Sequence, residues 1–318
     1  MNTRQTSSMS RRESLRLLGV GSVALAAGTV SSLGGAEEIK ASEKILTRTI
    51  PSSGEAVPVI GLGTWQTFDV GASEAERAPL AEVLAAFAGL GGRVVDSSPM
   101  YGRSEEVLGD LAARVGVQEK LFVATKVWTQ GRQAGVEQME ESMRRLRRTR
   151  VDLIQVHNLV DAEAHLETLR VWKAAGRVRY LGLTHYTTGG QAELARWLEK
   201  TPVDFIQINY SAGEREAERR LLPLARERGV AVIANRPFSQ GALLGRLRAR
   251  ALPGWAAEIG CESWAQVLLK FIVGHPAITC AIPATSKVAH LRDNMQAAYG
   301  ALPDEALRER IAKEVAGV

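Results

Sequence analysis

The strongest constraint in this 318-residue chain is a rhythm. Eight short apolar runs read as strands: Val59–Leu62, Arg93–Asp96, Leu121–Lys126, Val151–His157, Tyr180–Thr184, Val203–Ile208, Val230–Ala234 and Ile278–Ile282. They are near-continuously apolar, the pattern of strands covered on both faces. Amphipathic stretches follow them, near Ala78–Ala88, Ser104–Ala113, Val136–Arg147, Ala164–Ala174, Gln191–Glu199, Glu216–Arg228, Ser263–Ile272 and Val288–Ala298. Glycine closes several of these, as at Gly89, Gly176 and Gly229, the ordinary signal of a helix end. Eight strand–helix units predict the α/β class and a closed (β/α)8 TIM barrel. A doubly wound open sheet is the competing fold, but no Gly-x-Gly-x-x-Gly turn follows any strand. Ahead of the barrel, Ile45–Ile50 and Ala56–Val59 flank Pro51–Glu55 and read as a β-hairpin. The long connection Pro237–Gly260 has the length of a functional loop, and Pro303–Val315 predicts an extra helix.

Residues 1–36 do not follow the rhythm. Arg11 and Arg12 precede a mildly apolar run, Leu17–Val30, and then small residues up to Ala36. Charged, apolar and small-residue parts in that order make an export signal. The arginine pair resembles the twin-arginine type, with Ser14 where that motif usually has Phe. The run is shorter than the ~20 residues a spanning helix needs. The expectation is a twin-arginine signal peptide over 1–36, a barrel over 37–318, and a periplasmic or otherwise exported protein. The twin-arginine export machinery is then a partner, and the mature protein has no stable membrane span. The net charge is +5, and residues 1–36 hold +3 of it, so the basic balance is no argument for nucleic acid. The run Arg144–Arg150 suits the last turn of a helix, where cations oppose the dipole. Cys261 and Cys280 are too few for a disulfide framework or a metal site. Cys280 reads as core and Cys261 as a loop or helix start.

The chemistry lies where the strands end. The second strand ends in Asp96, with Tyr101 five residues on in the following loop. The third ends in Lys126, the fourth in His157 and the fifth in Thr184-His185. In a barrel of parallel strands these ends share one mouth. Taken singly, an Asp or Lys there is as easily a helix cap or a surface charge, and a loop Tyr is as easily packing. Four together form a proton-delivery site. An ammonium from Lys126 would lower the phenol pKa of Tyr101 from about 10. Asp96 would hold Lys126, and His157 would orient a carbonyl oxygen while Tyr101 protonates it. Such a site can protonate an alkoxide but has no electrons of its own, so it needs a hydride-donating cofactor.

Gly61-Leu62-Gly63-Thr64-Trp65, Asp96, Tyr101-Gly102, Ser104-Glu105, Lys126 and His157 together resemble the aldo-keto reductase pattern, over residues 45 to the end. The resemblance implies a (β/α)8 barrel with an N-terminal hairpin and NAD(P)H-dependent interconversion of a carbonyl and an alcohol. Its substrate would be a small-molecule carbonyl or alcohol. Tyr101 would be the general acid/base, Asp96 and Lys126 its modulators, and His157 the orienting residue. The implied cofactor contacts are Gly63, Thr64 and Trp65, Thr184 and His185, Gln207, and Ser286, Lys287 and Asn294. Lys287 favours NADP over NAD. One departure stands out. Where relatives place an aromatic residue on the nicotinamide, this chain has Asn235. Beside it, Arg236 offers a cation to an anionic substrate or a cofactor phosphate. The competing reading is an exported nucleotide-binding protein that senses redox state or docks on a partner without efficient turnover.

Overall fold

The computed structural model describes residues 44–317, and the expected export segment, 1–36, lies outside them. The chain enters through the expected hairpin, β1 (Thr47–Thr49) against β2 (Ala56–Pro58). Then come β3 (Leu62–Gly63), α1 (Glu74–Gly89), β4 (Val94–Asp96), α2 (Ser104–Arg114), β5 (Phe122–Val127), α3 (Arg132–Arg145), β6 (Val151–His157) and α4 (Ala162–Ala174). The second half runs β7 (Val178–His185), α5 (Gln191–Lys200), β8 (Phe205–Asn209), α6 (Leu221–Glu227), β9 (Ala231–Asn235), α7 (Ala242–Leu247), α8 (Trp264–Val273), β10 (Cys280–Ala281), α9 (Val288–Gln296) and α10 (Glu305–Ala316). Strands β3 to β10 are parallel neighbours in chain order. Bridges from Ile60 to Ala281 and from Gly63 to Ala284 join the last strand to the first, so the sheet closes into the predicted barrel.

Four boundaries differ from expectation, each for a local reason. The seam strands β3 and β10 are only two residues long, because their pairing is carried by single bonds such as Ala281 N to Val59 O. Helix α1 starts at Glu74 and runs through Pro79, forgoing one backbone bond rather than starting at that proline. The helix expected over Glu216–Arg228 is two pieces, a 3-10 turn at Glu216–Arg219 and α6, broken where Arg220 leaves helical geometry (φ −139°). The long Pro237–Gly260 connection is not bare loop: it holds α7 and a 3-10 segment, Gly254–Ile259.

Register decides what faces inward. Side chains two apart on a strand share a face. Asp96 pairs with Ala124, Lys126 with Gln155, His157 with Thr184, Thr184 with Gln207, and Asn209 with Asn235. One inward face therefore runs Phe122, Ala124, Lys126 on β5 and Leu153, Gln155, His157 on β6. It continues as Tyr180, Gly182, Thr184 on β7 and Phe205, Gln207, Asn209 on β8. The early members pack as an apolar plug with Ile50 and Val57 of the hairpin. The late members are polar. The Tyr180 hydroxyl donates to Glu55 Oε2 and accepts from Ser53 Oγ, both at 2.8 Å, so the hairpin turn stops the amino-terminal end. Gly182 is required here: a Cβ would lie 2.7 Å from the Phe205 carbonyl oxygen and 3.2 Å from Gln155 Cγ. A second, larger core fills the layer between strands and helices. Both cysteines are free and buried, Cys280 on β10 as expected. Burial pushes the Cys261 thiol up to about 11 and Cys280 higher still.

Candidate active site

The polar end of the inward face brings Asp96, Tyr101, Lys126 and His157 to one mouth. Lys126 is fully buried, an expensive place for an ammonium without partners. Its Nζ donates to both Asp96 oxygens at 2.8 Å and to the Ser97 carbonyl at 2.7 Å. Burial works against the Lys126 proton, but Asp96 and Tyr101 outweigh it and hold the pKa above its ordinary value. The same Nζ lies 5.0 Å from the centre of the Tyr101 ring. Here the structure corrects the sequence reading. Burial pushes the Tyr101 phenol above its ordinary pKa, and the pull of Lys126 in the other direction only partly offsets it. The hydroxyl therefore keeps its proton at neutral pH, the form a general acid needs.

His157 is buried, and its pKa falls to about 3, first through burial and then through the nearby Lys126 charge. A neutral imidazole carries one N–H donor and one acceptor. Its Nδ1 has no partner in the structure, so the ring is available to an oxygen placed between it and Tyr101. Thr64 braces the site by donating from Oγ1 to the Asp96 carbonyl at 3.0 Å.

A cleft of about 800 Å³ opens over these residues. Gly63, Thr64, Trp65, Asp96, Tyr101, His157 and Asn294 lie on its walls, as expected. Thr184, His185, Gln207, Ser286 and Lys287 do not. Thr184 and Gln207 are buried in the barrel wall below, where Gln207 Oε1 accepts from Gln155 Nε2 at 2.9 Å. His185 is half-buried, and its Nδ1 accepts from the Thr187 backbone N–H at 3.3 Å. Ser286 and Lys287 are exposed just before α9, with Lys287 at the helix N-cap.

The walls also hold residues that sequence reasoning missed, among them Tyr186, His290 and Asp293. Tyr186 directly follows a strand end, and His290 lies one helical turn before Asn294. Only the second of these, the spacing of His290 and Asn294, was a readable signal. Asn235 and Arg236 line the cleft beside them, and Asn235 Oδ1 is buried without a partner.

The cleft can hold an extended ligand. Its volume is in the range of cofactor sites, and its orphaned polar atoms, His157 Nδ1 and Asn235 Oδ1, call for one. The family model described as the aldo/keto reductase family matches residues 59–312. The chain belongs to that family. This aldo/keto reductase is 30% identical over 256 residues to the methylglyoxal reductase YeaE of Escherichia coli, covering 78% of this chain and 88% of that one. It is 27% identical to the aldo-keto reductase YhdN of Bacillus subtilis, over 63% of this chain and 64% of the relative. Two Klebsiella pneumoniae aldo-keto reductases have similar structures. One, in complex with NADPH, has a TM-score of 0.73 and 25% identity, over 86% of this chain and 95% of its own. The other, with NADP and acetate, has a TM-score of 0.69 and 26% identity, over 82% and 93%.

Proposed function

We propose that this aldo/keto reductase is an NADP(H)-dependent carbonyl reductase with Tyr101 as its proton donor. The observation that carries the reading is the buried Lys126–Asp96 pair set beside a protonated Tyr101 at the mouth of the cleft. The family and the nucleotide-bound relatives support the cofactor. Trp65, Asn235 and Asn294 on the cleft wall would contact it, with Ser286 and Lys287 at the start of α9 suited to a phosphate. When bound there, NADPH would supply the hydride that the carbonyl carbon takes up.

The chain's own groups handle the oxygen. His157, neutral, donates an N–H to it and fixes the carbonyl in the cleft. Tyr101 gives up its proton as that oxygen gains negative charge, and Lys126 steadies the phenolate that results. Asp96 keeps Lys126 charged and aimed. The carbonyl gains a hydride and a proton and becomes an alcohol, and Tyr101 recovers its proton from solvent. A panel of simple aldehydes with NADPH tests the reading. Turnover supports it, and nucleotide binding without turnover of any aldehyde favours a sensing or docking protein.

We further propose that residues 1–36 carry the folded reductase out of the cytosol through the twin-arginine route. The arginine pair with its gentle apolar run supports this. Replacing Arg11 and Arg12 by lysine should hold the protein in the cytoplasm, as cell fractionation reads.

A further inference from the structure

Two arginines on the cleft wall, Arg236 and Arg248, are not used by the proposed reaction, and Arg236 is the one placed by a barrel strand. Arg236 follows Asn235 at the end of β9, at the mouth of the barrel. Its backbone φ is +52°, a left-handed conformation that non-glycine residues seldom adopt. The guanidinium lies 4.7 Å over the Tyr186 ring and 5.8 Å over the Trp65 ring, so it is held between two exposed aromatic side chains. No carboxylate among the described residues pairs with it. The two acids on the cleft wall are engaged elsewhere. Asp96 is held by Lys126, and Asp293 accepts from Ser263 Oγ at 2.9 Å and from Gln266 Nε2 at 2.6 Å.

We infer that Arg236 is a specificity-determining residue, and that the carbonyl substrate it selects carries a carboxylate. The inference rests on the reductase reading and names its substrate class. Arginine presents a planar fork that meets a carboxylate through two parallel hydrogen bonds. The two rings contact the guanidinium and favour its charged form at the cleft wall. The rings also locate it. Trp65 follows Thr64, which braces Asp96, and Tyr186 meets the His157 ring edge-on with centroids 6.3 Å apart. The guanidinium thus stands at the reacting end of the cleft, and its charge helps draw the Tyr101 pKa down. The groups suited to a cofactor phosphate, Ser286 and Lys287, are at the start of α9 instead.

The test compares two four-carbon aldehydes, succinic semialdehyde and butanal, on the full-chain protein with NADPH. The ratio of their kcat/KM values is expected to favour the acid in the wild type and to fall about 10–100-fold in Arg236→Gln, mostly through KM. Arg236→Lys, which keeps the charge but not the fork, should recover part of the ratio. Calorimetric titration of butyrate into the protein with NADPH gives a reading that does not need turnover. Butyrate should bind the wild type and bind Arg236→Gln at least tenfold more weakly. Butyrate discrimination without any aldehyde turnover would uphold the carboxylate site and overturn the reductase reading. Butanal turnover with an unchanged ratio and unchanged butyrate binding would overturn the inference and leave the reductase reading standing. A variant that loses NADPH affinity while keeping the ratio would assign Arg236 to the cofactor and also overturn it.

Discussion

Asp96 and Lys126 are buried together, so each is tolerable only because of the other. Lys126→Met leaves a carboxylate in the barrel without its cation. It should lower stability by about 3–5 kcal/mol in urea unfolding, while the double variant Asp96→Leu/Lys126→Met should recover much of that loss. His157 gives a second residue-scale expectation. Its folded pKa of about 3 lies below the unfolded value of about 6.5. The unfolded chain therefore takes up a proton that the fold refuses. The stability is present above pH 6.5 and is lost as the pH falls towards 3, at up to about 1.4 kcal/mol per pH unit. His275, held at about 4 by burial, adds a parallel loss. Melting temperatures of His157→Asn should fall less steeply than wild type between pH 6.5 and 4, without becoming flat. The same low pKa predicts no inflection near pH 6.5 from His157 in the kcat profile.

At the scale of elements, the close approach of α2 to α3 turns on one glycine. A Cβ at Gly109 would stand 2.2 Å from the Arg145 carbonyl oxygen and 2.8 Å from the Leu146 carbonyl carbon, both backbone atoms that cannot swing aside. Alanine is the better helix former by about 1 kcal/mol. The clash should outweigh that gain, so Gly109→Ala is expected to be destabilising by about 1–3 kcal/mol net, measured by thermal melting. The elements were readable where one physical signal acted alone. Continuous apolar runs gave β5 to β9 because parallel strands are buried on both faces. Helix α1 starts four residues ahead of Ala78, since a helix under tertiary packing can carry Pro79 and forgo one backbone bond. Arg220 gave no warning because it is an ordinary helix former, and its non-helical backbone is visible only in the fold. Of the site, Asp96, Tyr101, Lys126 and His157 were legible because they interrupt apolar strands or directly follow one. Tyr186 was not singled out, because a lone aromatic after a strand reads as packing until the barrel closes and Arg236 is seen against its face. The net rise of the Tyr101 pKa was beyond the sequence too, since it depends on how completely the phenol is buried.

The whole molecule is a division of labour between the two ends of one barrel. The hairpin and the ring of Phe122, Tyr180 and Phe205 close the amino-terminal end. The register then carries polar side chains to the other end at matched heights, so stability and chemistry are set by the same strands. In the proposed reaction this mouth delivers a proton from Tyr101 to a carbonyl oxygen. The most direct measurement pairs NADPH binding with aldehyde turnover in the full-chain wild type and in Tyr101→Phe, which removes one oxygen and keeps the ring beside Lys126. Equal nucleotide affinity is expected in the two proteins, with a fall in kcat of about 10²–10⁴-fold in the variant, the range of a lost general acid. A Tyr101→Phe protein that binds NADPH and reduces aldehydes at the wild-type rate would contradict that role of Tyr101.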